Sequence, residues 1–114
     1  MQHDDTAYLL DMLVAARDAV SYVSELTQQQ FEQSRLHQDA VFKTLEVIGE
    51  AAGRVTDQTR SRHPEMPWVQ IIGMRNRLVH AYFDVDLRKV WDTAQNDIPR
   101  LIALLESLVP PEKP

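Results

Sequence analysis

Apolar side chains recur at spacings of three and four along almost the whole chain, and this single period predicts helices from end to end. The first run is Leu9, Met12, Leu13, Ala16, Ala19, Val20, Val23 and Leu26. Asp4, Asp5 and Thr6 stand before it as caps and as acid for the positive end of a helix dipole. A polar break over Thr27 to Gln30 separates it from a second run, Val41, Phe42, Leu45, Ile48, Ala52 and Val55, read as one helix from about Ser34 to about Arg60. Glycine inside a helix costs about 1 kcal/mol relative to alanine, so Gly49 and Gly53 mark a close approach of another backbone. A loop from Ser61 to Met66 follows, and Pro67 opens a third helix, where its missing N–H loses nothing. That helix carries Trp68, Ile71, Ile72, Leu78 and Val79. After a turn over Phe83 to Asp86, with Asp84 or Asp86 as cap, the last pattern runs through Leu87, Val90, Trp91, Ala94, Ile98, Leu101, Leu105 and Leu108. Pro99 removes a ladder bond and should kink or divide this helix after Asp97. No alternating β-branched run or Asn-Gly hairpin appears, so the expectation is an all-α antiparallel bundle of four to five helices.

Composition narrows this picture without changing it. A chain of 114 residues makes one domain, residues 1–114, around a single core. There is no cysteine, hence no disulfide or thiolate metal site. The acidic start Met1-Gln2-His3-Asp4-Asp5 and the lack of a long apolar run point to a cytoplasmic protein with no membrane span. The formal charge of -5 argues against bulk electrostatic binding of nucleic acid. Its distribution is uneven. Residues 1–52 hold three basic and nine acidic side chains and residues 92–114 hold two and four, whereas residues 53–91 hold seven basic (Arg54, Arg60, Arg62, Arg75, Arg77, Arg88, Lys89) and four acidic. A local positive segment in an acidic protein suits a phosphate-bearing ligand.

The chemistry concentrates in Arg75-Asn76-Arg77-Leu78-Val79-His80-Ala81-Tyr82, an Arg-x4-His-x-Tyr string. It supplies an anion clamp, an imidazole of the kind that works as acid or base near neutrality, and a modifiable hydroxyl, which is a tool kit for phosphodiester chemistry. At 100° per residue Arg75 and Tyr82 fall nearly on one face, in line with Trp68, Ile71 and Ile72. Arg75 therefore interrupts an apolar stripe and must meet a carboxylate, a phosphate or water, with Glu46 and Glu50 as candidate partners on the preceding helix. His80 lies about 140° round from Arg75, on the side of Asn76. Either the helix ends near His80 and turns the ring back, or Arg75 and His80 of two copies meet across a two-fold axis in a homodimer. His37, His63 and His80 have no partners at reliable metal-ligand spacing, and a chelate of Met1-Gln2-His3 is a poor candidate for a function. Trp68 and Trp91 read as core anchors rather than base-stacking platforms.

Gly73 to Asp86 resembles the signature of HepT-like proteins, a branch of the HEPN superfamily, and three other segments agree: Leu45 to Ala52, His63 to Trp68, and Val90-Trp91-Asp92. The resemblance implies a HEPN-type helical bundle that dimerises and cleaves RNA without metal or cofactor at a cleft between subunits, as the toxin of a toxin-antitoxin pair. Carried onto this sequence, it makes Arg75 the grip on the scissile phosphate and His80 the general acid or base, with Asn76 orienting phosphate or histidine. Tyr82 corresponds to the tyrosine on which a minimal MntA-type nucleotidyltransferase antitoxin places AMP. The same resemblance also admits a non-catalytic HEPN subunit that is only the binding partner or target of such a transferase.

Overall fold

The computed structural model describes residues 5–80 and 86–109, with the side chains of residues 78–80 outside the description. Its elements are α1 (Thr6–Val23), α2 (Gln28–Glu32), α3 (Arg35–Arg54), α4 (Asp57–Arg62), α5 (Trp68–His80), α6 (Leu87–Asp92), a π-helical segment (Thr93–Asp97) and α7 (Ile98–Leu108). Among the described residues there is no strand, and the all-helical expectation holds. The long helices neighbour one another in the order α5, α3, α1, α7, so α3 and α1 form the centre and the other two flank it.

The apolar period explains this order. Leu9, Met12, Leu13, Ala16, Ala19 and Val23 of α1 are buried against Val41, Phe42, Leu45, Ile48 and Ala52 of α3 in a single core. Trp68 and Ile71 bring α5 to it, and Ile98, Leu101 and Leu105 bring α7. Each of the Leu, Ile, Val, Phe and Met side chains among them contributes about 1.5–3 kcal/mol on burial, so these stripes dominate the driving force. Across the outside, Arg17 of α1 pairs with Glu106 of α7 at 2.9 Å.

Three local readings change. The polar break holds a helical turn, α2, closed by a reciprocal capping box: Thr27 Oγ1 accepts from the Gln30 N–H at 3.1 Å and Gln30 Oε1 accepts from the Thr27 N–H at 2.9 Å. It carries the fully buried Phe31 against the Trp91 ring, 5.5 Å away. The second predicted helix is two. α3 stops at Arg54, Val55 turns extended (φ -65°, ψ 135°), and Thr56 caps α4. Arg60 covers the end of α3 by donating to the carbonyls of Ala52 and Gly53 at 3.1 and 3.0 Å. Asp5 makes no side-chain cap on α1; its carboxylate, in a residue only 6% exposed, accepts from the N–H and hydroxyl of Thr56 at 3.1 and 2.6 Å.

The division of the last helix falls where Pro99 requires it. Without a proline N–H the α-helical register cannot continue unbroken, and the chain accommodates this with the π segment that ends at Asp97, immediately before α7. Asp86 caps the start of α6, accepting from the Arg88 N–H at 3.0 Å; Asp84 lies outside the described residues.

Candidate active site

α5 carries the candidate chemistry, and its first turn is anchored firmly. Pro67 stands just before the helix, its carbonyl accepting from the Ile71 N–H at 3.0 Å. The Trp68 indole N–H donates to the His63 carbonyl at 3.0 Å while its ring is buried, which ties the loop after α4 to the helix start. His63 in turn lies 3.4 Å from Glu65.

One turn further on, α5 crosses α3 at Gly49. A Cβ at that position would overlap the Arg75 Cβ and lie 3.2 Å from the Ile71 carbonyl oxygen. The expected close approach is therefore real at Gly49. Gly53, with nothing within 4 Å of a notional Cβ, does not share it.

Arg75 stands on this crossing, half-buried, with its stem over Gly49. Neither expected carboxylate takes it. Glu50 pairs with Arg54 at 3.0 Å, and among the described residues Arg75 forms no ion pair. Among the described residues its one polar side-chain contact is a long hydrogen bond from Nη1 to Asn76 Oδ1, 3.4 Å. A guanidinium without a fixed anion retains its donors for a ligand, and the planar fork matches a phosphate.

The other site residues separate by azimuth. Asn76 and Arg77 are exposed. Arg77 lines a groove of about 450 Å³ between α5 and the last helix, together with Arg100, Glu65 and Asp97, so the two arginines of the string serve different surroundings. The backbone is helical over the whole interval from Arg75 to His80. The side chain of His80, and Tyr82 entirely, lie outside the described residues. Among the described residues no three His, Asp or Glu side chains gather as a metal-ligand set.

Of the seven basic residues in 53–91, Arg54 and Arg60 are committed to structure, one to Glu50 and one to the end of α3. Arg62, Arg75, Arg77, Arg88 and Lys89 form no ion pair among the described residues.

Comparison with known proteins places the chain in a family. The family described as Ribonuclease HepT-like matches residues 12–108, from the first helix through α7. The chain belongs to the HepT-like ribonuclease family. A Thermococcus cleftensis protein named probable ribonuclease HepT is 36% identical over 108 residues, covering 95% of this chain and 98% of its own. A Methanocaldococcus jannaschii protein named as a candidate RNase is 31% identical over 100 residues, 88% of this chain and 92% of its own. A similarly named protein of Caldanaerobacter subterraneus subsp. tengcongensis is 31% identical over 106 residues, 93% and 95% of the two chains. No solved structure matches the chain. The HepT-like match includes the Arg75 helix, its Gly49 floor and the Pro99-divided last helix within one continuous span.

Among the residues that matter here, Gly49 was legible in the sequence as the site of a close backbone approach, but not as the residue that faces Arg75. Its partner across the crossing depends on how two helices meet, which no local pattern encodes.

Proposed function

We propose that this HepT-like protein is an endoribonuclease that acts as a homodimer and as the toxin of a toxin-antitoxin pair. The observation that carries the reading is Arg75: a half-buried residue whose stem sits at a helix crossing and which forms no ion pair among the described residues. In the proposed reaction the 2'-hydroxyl oxygen of one nucleotide attacks the adjacent phosphorus and the bond to the 5'-oxygen of the next breaks, leaving a 2',3'-cyclic phosphate and a free 5'-hydroxyl. His80 accepts the hydroxyl proton or supplies one to the leaving oxygen, and Arg75 stabilises the charge that develops on the phosphate oxygens. Asn76 is hydrogen-bonded to Arg75 and lies on the His80 side of the helix, so its carboxamide links the two azimuths.

The helical backbone from Arg75 to His80 keeps the two about 140° apart on one α5, which favours a site completed by a second copy. Tyr82 is proposed as the acceptor of AMP from an MntA-type nucleotidyltransferase. The attached nucleotide adds bulk and negative charge beside the phosphate site and blocks it without unfolding the bundle.

Purified protein should cleave RNA in EDTA, and both Arg75→Ala and His80→Ala should lower cleavage by about 10²-fold or more and remove the toxicity expected on induced expression. A wild type that binds the transferase but never cuts RNA would instead identify a non-catalytic HEPN partner. Tyr82→Phe should fold, dimerise and resist neutralisation by a co-expressed transferase, with mass spectrometry finding AMP on wild-type Tyr82. AMP on Tyr8 or Tyr22 instead would remove Tyr82 from the scheme.

A further inference from the structure

Glycine at position 49 does something that neither other glycine does. A Cβ there would overlap Arg75 Cβ and lie 2.8 Å from Arg75 Cγ and 3.2 Å from the Ile71 carbonyl oxygen. At Gly53 it would meet nothing within 4 Å, and at Gly73 only the movable end of Arg77 at 3.7 Å. The atoms crowding position 49 cannot swing away. A Cβ is fixed by its own backbone, and a carbonyl oxygen inside a helix is fixed by the ladder. Any side chain at 49 must therefore lift or roll α5 as a body on α3, by something on the order of 1 Å if carbon atoms are to regain their usual separation.

We propose that Gly49 is a positioning residue for Arg75: the notch it leaves in α3 sets the height and roll of α5 and seats the arginine stem, so that the guanidinium is presented in one place. The proposal rests on the reading of Arg75 as the phosphate grip. A bare arginine has long, rotatable stem bonds to immobilise when it binds an anion. Contact of its Cβ and Cγ with the floor of α3 limits that freedom before the ligand arrives, while the terminal fork stays available. An arginine at a helix crossing is a poor choice for packing alone, and it needs a glycine opposite to be accommodated. A displacement of about 1 Å at such a group can lower a rate by roughly 10²-fold.

The test is a double-mutant cycle read in two ways. Gly49→Ala should reduce RNA cleavage by about 10²-fold, mainly in kcat, yet cost little of the residual activity in the Arg75→Gly background, where the Cβ it collides with is gone. Gly53→Ala, with open space around it, should leave cleavage unchanged. Independently of catalysis, the Nε–Hε resonance of Arg75, assigned by its loss in Arg75→Lys, should move in Gly49→Ala and stay in place in Gly53→Ala. An unmoved resonance, or an equal loss of cleavage with and without Arg75, overturns the positioning role. A resonance that moves in a protein whose wild type cuts no RNA leaves the positioning intact and rejects the ribonuclease reading. If Gly49→Ala does not fold, the pair Gly49→Ala with Arg75→Gly removes the Cβ in conflict and should restore folding; failure to do so also overturns the proposal.

Discussion

At the scale of single residues, burial and partnership separate Arg75 from the arginines that hold the fold. Arg60 bonds two carbonyls at the end of α3, and Arg54 closes on Glu50 one turn away. Arg75 has the long contact to Asn76 and no ion pair among the described residues. Removing a paired, half-buried charge strands its partner and is strongly destabilising; removing one that strands nothing is not. Arg75→Ala should thus lower cleavage by about 10²-fold or more while changing unfolding free energy by no more than about 1 kcal/mol, since only stem packing is lost. Arg75→Lys keeps the charge without the fork and should recover only part of the activity. Urea denaturation beside single-turnover kinetics checks both, and a loss of several kcal/mol in Arg75→Ala would make the arginine a structural anchor.

At the scale of elements, the stripes were legible and the joints were not. Every apolar position from Val41 to Val55 assigned to the second run is buried, yet the helix breaks at Val55. The reason is that Val55 follows Ala52 at a spacing of three, so the apolar period passes through the break unaltered. What stops the helix is polar and partly remote: Thr56 caps α4, and Asp5, far away in sequence, accepts from the Thr56 N–H and hydroxyl. The α2 turn was legible in principle, because Thr27 and Gln30 have capping-box spacing, but its polar composition concealed it. Pro99 located the division of the last helix because the missing donor is a property of the residue itself. The joint makes a prediction of its own. Thr56→Val removes the cap and the hydroxyl donor together and should cost about 1–3 kcal/mol. Asp5→Ala should cost a similar amount, and the double variant should fall well short of the sum, since both lose the same bond. Additive losses in chemical denaturation would show that Asp5 and Thr56 act separately.

At the scale of the whole molecule, the proposed reading requires Arg75 and His80, five residues apart on one helix, to serve one phosphate. The helical backbone across that interval fixes their azimuths about 140° apart, so one α5 presents them to different sides. A two-fold axis changes the geometry without changing either residue, because it brings a second α5 with its own pair. The proposed dimer then contains composite sites, each with Arg75 from one copy and His80 from the other. Arg75→Ala and His80→Ala should each keep no more than about a hundredth of wild-type activity as homodimers. When the two variants are unfolded together and refolded as a mixture, about half the dimers should pair one of each, and each mixed dimer regains one intact site of two, so activity should return to about a quarter of wild type. A site built within one chain gives no recovery under any mixing ratio, because no subunit carries both groups. Light scattering on the same samples distinguishes that result from a failure to associate. Recovery near a quarter places catalysis between copies; dimers that remain inactive place it within one chain and require the histidine ring to reach back around the helix.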